Sequence, residues 1–175
     1  MMIDLTNVIS TADKKLEVTV EPEMECFTSA MGCFPISNKK PFMLCLTNDD
    51  NKRLLISGDT TLDVTIPCDR CLEDVVIPME ISIDRIVNLS EGMILMDSDE
   101  EEDTFLKEHQ LDVDRLIYDE ILVHWPTKVL CRDDCKGICP VCGQNLNQRD
   151  CGCDRQVLDP RMAKFQDVFK EFKEV

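Results

Sequence analysis

The sequence predicts an α+β fold, namely an antiparallel β-meander or partly open barrel with two helices and a small cysteine-rich module. Three observations predict this class. Polar and apolar residues alternate over several segments before residue 90, helical spacing follows in two later segments, and six of the eleven cysteines lie after residue 130. A chain of 175 residues suits one domain with a small appendage, and it is long enough to bury a core without covalent crosslinks.

Period-two alternation predicts four to six strands, each with one buried and one solvated face. The alternating segments are residues 16–20, 62–66 and 77–83. Residues 42–46 are apolar throughout, which predicts a strand buried on both faces. The Asn-Asp-Asp-Asn sequence at residues 48–51 predicts a turn directly after that strand.

The apolar spacing of residues 112–124 predicts a helix that begins at an aspartate cap and ends before Pro126. A second helix is predicted over residues 160–172, where Asp159 suits the N-cap and Pro160 suits the first helical position. The methionine and phenylalanine stripe of this second helix is typical of core packing.

The formal charge of −16 is unevenly distributed. Residues 131–175 contain eight acidic and eight basic residues, so the whole excess lies in residues 1–130, with 27 acidic and 11 basic ones. We therefore predict an acidic β domain over residues 1–126 and a cysteine-rich, metal-binding tail over residues 127–175. Six acidic residues between positions 97 and 103 are typical of a solvated loop. This acidity argues against a simple basic nucleic-acid binder or a binder of anionic membranes.

The amino-terminal residues lack the basic and apolar regions of a secretory signal peptide. No apolar run approaches the roughly 18 residues of a membrane-spanning helix. We expect a cytoplasmic, reduced protein with no membrane association, and in such a compartment clustered cysteines are typical of metal sites rather than disulfides.

Two cysteine patterns have metal-ligand spacing. The first is Cys68-Asp69-Arg70-Cys71, which lies between two predicted strands, where a tight turn directs both thiolates to one ion as in a zinc ribbon. A redox Cys-x-x-Cys motif requires a helix N-terminus to lower the pKa of one thiol. Strands flank this motif on both sides, so redox chemistry is disfavoured.

The second pattern predicts a zinc-knuckle module, because its Cys-Pro-Val-Cys-Gly core combines a fixed proline dihedral with a glycine that tolerates a left-handed turn. The full pattern is Cys131-x3-Cys135-x3-Cys139-Pro-Val-Cys142-Gly-x7-Cys151-Gly-Cys153.

Zinc takes four thiolates, so eight patterned cysteines make two complete sites. The preferred partition has a tail site and a second site that ties the tail to the first motif. The tail site is Cys139, Cys142, Cys151 and Cys153, and the second is Cys68, Cys71, Cys131 and Cys135. One zinc with two spare thiols and an iron–sulfur cluster remain alternatives. No ligand role is assigned to Cys26, Cys33 or Cys45, and Cys45 is predicted to be a small buried apolar residue.

The sequence contains no signal for catalysis. His109 and His124 lie at no ligand spacing from the cysteines, and phosphate-loop, dinucleotide-binding and metalloprotease motifs are absent. A zinc ion closed by four cysteines leaves no position for water. We therefore expect a protein that is not an enzyme and has no small-molecule substrate.

The sequence resembles the YceD family of large ribosomal RNA subunit accumulation proteins over about residues 60–165. The segments that carry the resemblance are Cys68-Asp69-Arg70-Cys71-Leu72, the helix that ends before a proline, residues 131–147 with Cys151-Gly152-Cys153, and Asp159-Pro160-Arg161. The resemblance implies a role in the synthesis, processing or accumulation of large-subunit ribosomal RNA or in ribosome assembly. It implies a cytoplasmic bacterial protein or an organellar relative, with no catalytic residue.

The partner remains open between two classes. Ribosomal RNA or a pre-ribosomal particle would contact phosphate-binding cations in the tail. These cations are Arg132, Lys136, Arg149, Arg155 and Arg161. Alternatively, the acidic domain is an adaptor that engages a basic ribosomal protein, and a redox or metal sensor is a third option.

Overall fold

The computed structural model describes residues 1–90, 93–94, 105–107 and 109–154. These residues form ten strands and two helices. The strands are β1 (Met2–Asp4), β2 (Lys15–Val20), β3 (Cys26–Ser29), β4 (Gly32–Ser37), β5 (Phe42–Asp49), β6 (Arg53–Pro67), β7 (Asp74–Ser90), β8 (Met93–Ile94), β9 (Leu106–Lys107) and β10 (Gln110–Asp112), and the helices are α1 (Thr6–Ile9) and α2 (Val113–Val123). The predicted helix over residues 160–172 and the acidic segment at 97–103 lie outside the described residues.

The chain divides into two compact units. The first, here called the sheet unit, comprises Met1–Ile66 and Asp74–Val129. The second, here called the tail unit, comprises Pro67–Glu73 and the chain from Leu130 onwards. The division at residues 126 and 127 into two functional regions stays a prediction.

The sheet unit is antiparallel in every strand pairing that is described. Its main sheet has seven strands, in the order β2-β5-β6-β4-β3, with β7 pairing with β6 and with β8. A small second sheet has the order β1-β10-β9. The α+β class with a mainly antiparallel sheet is therefore confirmed.

The period-two segments form β2, β6 and β7, as their alternation predicts. The prediction that residues 42–46 are buried on both faces is wrong. In β5 only alternate side chains are buried, Met43 is 55% exposed and Cys45 is half-buried. A run of apolar residues can thus form a strand that is buried on one face only, because exposing a methionine to solvent costs little free energy.

Helix α2 packs one apolar stripe against the core of the sheet unit. The Asp112 side chain accepts a hydrogen bond from the backbone N–H of Arg115, as expected of an N-cap. The buried face contains Leu116, Ile117 and Ile121. The helix ends at Val123, before the proline that the sequence identified as its limit.

A buried asparagine holds the turn after β5 and the end of α1 together. The Asn48 side-chain nitrogen lies 2.9 Å from the carbonyl oxygen of Val8 and 3.0 Å from that of Ile9. Asp50 and Asn51 both have positive φ, 51° and 56°, which identifies a type I′ hairpin turn and confirms the predicted turn.

The β3–β4 hairpin carries a disulfide between Cys26 and Cys33, with the two Cα atoms 6.0 Å apart. The expectation that the cysteines are reduced is wrong for this pair. Antiparallel pairing places Cys33 opposite Thr28, so Cys26 is the diagonal neighbour of Cys33 across the hairpin. That Cα separation is ordinary for a disulfide.

Within the part of the chain that the structure describes, no helix combines the length and apolar character needed to cross a membrane.

Candidate metal centres

The tail unit contains two knuckle turns with the same backbone hydrogen bond. In the first, the N–H of Leu72 donates to the carbonyl of Cys68 at 2.9 Å. In the second, the N–H of Gly143 donates to the carbonyl of Cys139, also at 2.9 Å. Each turn therefore brings two cysteines, three positions apart, to the same side of a short loop.

The first cluster joins the first knuckle to the segment after residue 130. Its four sulfur atoms belong to Cys68, Cys71, Cys131 and Cys135, and all lie within 4.8 Å of one another. The sulfur atoms of Cys68 and Cys135 are 3.8 Å apart, and those of Cys71 and Cys131 are 3.5 Å apart. Three of these cysteines are buried and Cys131 is half-buried.

The second cluster is local in sequence and more exposed. Its sulfur atoms belong to Cys139, Cys142, Cys151 and Cys153, and they also lie within 4.8 Å of one another. Cys139 is buried, Cys142 is exposed, and the other two are half-buried. The structure therefore brings together the same two sets of four cysteines that the sequence predicts. Metal binding by these two sets stays a prediction.

Polar side chains from residues 144–148 support the first cluster. The side-chain amide of Asn147 donates to the sulfur of Cys135 at 3.2 Å, and its oxygen accepts from the backbone N–H of Lys136 at 2.8 Å. Asn145 donates to the Glu73 carboxylate at 2.8 Å, which joins this segment to the first knuckle. An N–H donor to a thiolate stabilises the negative charge on sulfur.

The pKa values of the first cluster's thiols diverge. Burial opposes ionisation of Cys68, but the backbone N–H groups of Arg70, Cys131 and Cys71 outweigh it and lower its pKa to about 6. For Cys71, the backbone N–H of Glu73 favours the thiolate. Burial and the neighbouring thiols outweigh that bond and raise the pKa of Cys71 to about 12.

The second cluster shows the same divergence. The backbone N–H of Cys153 and the thiol of Cys139 lower the pKa of Cys151 to about 6. The thiols of Cys142 and Cys151 raise the pKa of Cys153 to about 12. In each cluster one thiolate forms readily and a neighbour resists ionisation, because like charges would meet. A divalent cation at the centre removes that repulsion.

The sulfur separations observed in the first cluster fit a tetrahedral metal site, and the four sulfur atoms of the second lie within the same 4.8 Å limit. Four sulfur atoms at about 2.3 Å from a zinc ion lie about 3.8 Å from one another, close to the two separations observed in the first cluster. A set of four thiols with no nitrogen or oxygen ligand suits zinc or iron. The four sulfur atoms of each cluster are therefore close enough together to hold one metal ion.

Two of the three described cations proposed to bind RNA have polar partners within the tail unit. The Nε atom of Arg132 lies 3.5 Å from a carboxylate oxygen of Asp134, and that of Arg149 donates to the side-chain oxygen of Gln144 at 3.1 Å. Lys136 is exposed. The remaining two candidates, Arg155 and Arg161, lie outside the described residues.

Sequence reasoning did not identify Asn147, Asn145 and Glu73 as supporting residues of the first cluster. The signal was present in part, because the Gln-Asn-Leu-Asn run at residues 144–147 follows the second knuckle directly. Amides so close to a thiolate pattern are candidates for donors to sulfur, but which cluster they reach depends on the tertiary fold.

The comparison with protein families gives a match that covers more than half of the chain. The model of the family described as "Large ribosomal RNA subunit accumulation protein YceD" matches residues 56–169. This range includes all eight cysteines of the two clusters.

Curated relatives match at low identity. An uncharacterized protein of Mycobacterium tuberculosis is 25% identical over 115 residues, 66% of this chain and 55% of the relative. The uncharacterized protein YlbN of Bacillus subtilis is 27% identical over 131 residues, 70% of this chain and 71% of the relative. A protein of Arabidopsis thaliana named "Large ribosomal RNA subunit accumulation protein YCED homolog 1, chloroplastic" is 36% identical over 50 residues, 29% of this chain and 16% of that protein. The chain thus spans about half the length of the mycobacterial relatives that it matches, and no solved structure matches it.

Proposed function

The chain belongs to the YceD family of large ribosomal RNA subunit accumulation proteins, and on that premise we propose that it is a non-enzymatic factor in the accumulation or processing of large-subunit ribosomal RNA or in ribosome assembly. The observation that supports this proposal is the pair of four-cysteine clusters within the matched range. Such clusters stabilise small protein modules that bind macromolecules, and they leave no open position for a substrate. The proposed compartment is the cytoplasm, because the two clusters require reduced thiols, and the Cys26–Cys33 disulfide is then an exception to the usual rarity of disulfides there.

The proposed metal is zinc, one ion in each cluster. Each cluster contains one knuckle turn, and each offers four sulfur ligands with no exchangeable ligand. Zinc in such a site is structural, because metal binding in small cysteine modules contributes directly to the free energy of folding. Its role in the first cluster would be to fasten Pro67–Glu73 to the chain after Leu130, which together make up the tail unit.

The proposed partner is a ribosomal component, either RNA or protein. The described residues of the tail unit contain six acidic and four basic side chains. Four thiolates around a zinc dication carry two further net negative charges in each cluster. With zinc bound, the tail unit is therefore negatively charged, like the sheet unit. This charge favours the second candidate function, an adaptor that engages a basic ribosomal protein.

The test is complementation of a bacterium that lacks its own copy of the gene. We expect the wild-type chain to restore the ratio of large-subunit to small-subunit ribosomal RNA, measured on denaturing gels. The double variant Cys71→Ser and Cys142→Ser should fail, because it removes one ligand from each cluster. Cys45→Ser, which alters a cysteine outside both clusters, should complement like the wild type.

A ribosomal RNA ratio that stays normal without the gene would contradict the proposed role. Full complementation by the double variant, at wild-type protein abundance, would contradict the need for the metal clusters.

A further inference from the structure

We propose that Leu72 is the anchor by which the tail unit docks into an apolar pocket, bordered by cations, on a protein partner. The proposal rests on the ribosome-related function above and deepens it, since it assigns the docking surface and the class of partner. It begins from a difference between the two knuckles.

The two knuckle turns have one backbone conformation but different residues at the same place. The residue after the second cysteine has φ of +62° at Leu72 and +72° at Gly143. Both residues donate the closing hydrogen bond of the knuckle to the carbonyl of the first cysteine. Glycine adopts this left-handed conformation without cost, whereas a bulky residue with a Cβ atom does not.

Leu72 is also poorly placed to gain from burial, because its side chain is 63% exposed. A leucine at this position therefore opposes the local backbone and obtains little packing in return. Glycine would satisfy the turn better. Residues held in an unfavourable backbone conformation without a structural gain point to a functional use of the side chain.

Two other apolar side chains of the tail unit are exposed on the second knuckle and its approach. Val141 is 54% exposed and Ile138 is 38% exposed. The N–H of Ile138 donates to the carbonyl of Arg70 at 3.0 Å. The backbone of Ile138 is therefore hydrogen-bonded to the first knuckle, two residues before Leu72 in the sequence. Leu72 is thus an exposed apolar tip on the first knuckle, of the kind that a partner's pocket receives, and exposed Ile138 belongs to a segment whose backbone is hydrogen-bonded to that knuckle.

The charges around this tip select a protein rather than RNA. The exposed guanidinium of Arg70 donates to the carbonyl of Cys135 at 2.8 Å, so this cation is held by a contact within the tail unit. The Glu73 carboxylate accepts from Asn145 and Gln148 and adds negative charge beside the tip. An anionic surface with an apolar centre repels phosphates and complements an apolar pocket flanked by lysine or arginine.

The experiment uses the full chain loaded with zinc and three variants. Leu72→Gly removes the side chain and suits the left-handed turn, while Leu72→Met keeps an apolar side chain at the same place. Val123→Ala is the matched control, since Val123 is an apolar side chain of the sheet unit that is 69% exposed. Binding is measured against individually immobilised, purified proteins of the bacterial large ribosomal subunit, free of RNA, and against naked large-subunit ribosomal RNA.

We expect the wild type to bind at least one of the basic proteins. Leu72→Gly should weaken that binding by about tenfold or more. Its zinc content should equal that of the wild type, and its denaturation midpoint should equal or exceed that of the wild type. Leu72→Met and Val123→Ala should bind like the wild type. This pattern separates a docking role from a folding role, because a merely structural leucine would lower the midpoint together with the binding.

Equal binding by Leu72→Gly and wild type would overturn the inference and leave the proposed function intact. Binding of the wild type to the RNA but to none of the proteins would have the same consequence. A wild type that binds neither probe would overturn the proposed function itself.

Discussion

Replacing Gly137 by alanine is expected to destabilise the tail unit by about 2–3 kcal/mol. Gly137 has φ of +77°, and a non-glycine residue in this conformation costs roughly 1–2 kcal/mol. A Cβ atom here would also lie 2.9 Å from the carbonyl oxygen of Arg70, a contact that backbone atoms must relieve by moving apart. That oxygen accepts from the N–H of Ile138 at 3.0 Å, and weakening such a bond costs about 1 kcal/mol.

Gly143→Ala provides the matched control. Its φ of +72° imposes nearly the same backbone cost, but apart from its chain neighbours no atom of the described chain lies within 4 Å of the added Cβ. The two variants should therefore differ by about 1 kcal/mol, or roughly fivefold in an unfolding equilibrium constant. The assay is urea unfolding of the zinc-loaded protein, followed by release of zinc to a chromogenic chelator.

Equal destabilisation by the two alanines would refute the close approach of Gly137 to Arg70. It would also contradict the tight packing of the first knuckle against the segment between the two clusters.

Three further outcomes test the sheet unit and the cysteines. Asn48→Ala should cost about 2–4 kcal/mol in urea unfolding, because it leaves buried carbonyls without a donor, whereas exposed Asn7→Ala should cost less than about 0.5 kcal/mol. Glu120→Gln should cost about 1–3 kcal/mol by the same method, since the buried carboxylate accepts from Arg85 at 2.7 Å, and the more exposed Asp119→Asn should cost less than about 1 kcal/mol. Equal destabilisation by Asn48→Ala and Asn7→Ala, or by Glu120→Gln and Asp119→Asn, would contradict the burial of Asn48 or of Glu120. Alkylation of the unfolded, metal-free protein should label nine cysteines without reductant and eleven with it, by mass spectrometry, and eleven labels without reductant would contradict the hairpin disulfide.

The sequence predicted those parts of the fold that depend on one-sided burial. Strands β2, β6 and β7 alternate because a single face of each packs on the core, and that alternation is visible in the sequence alone. The β3–β4 hairpin was missed because Gly32 and Pro35 interrupt its pattern. Proline is tolerated there since β4 pairs with β6 at only two positions and with the terminal strand β3 on its other side.

Short elements also escaped prediction. Helix α1 has four residues, fewer than the two turns over which helical spacing becomes recognisable. Its end is held by Asn48, a contact 40 residues apart in sequence, which no local pattern encodes.

The grouping of the cysteines could be proposed from valence, because a tetrahedral ion requires four ligands and eight patterned cysteines are present. The surroundings of the clusters could not be proposed in this way. The amide of Asn147 reaches Cys135 because the backbone of residues 137–146 doubles back through the bond from Leu146 to Gly137. The strained backbone of Leu72 likewise could not be predicted, because it is recognised only from the φ angle in the structure.

Zinc content per chain tests the central claim most directly. Elemental analysis of the protein purified without added metal should give two zinc ions per chain, and Cys71→Ser and Cys142→Ser should each reduce the value to one. Cys45→Ser should leave it at two. A wild-type value of one would contradict the paired four-cysteine centres, and iron in place of zinc would contradict the assignment of the metal.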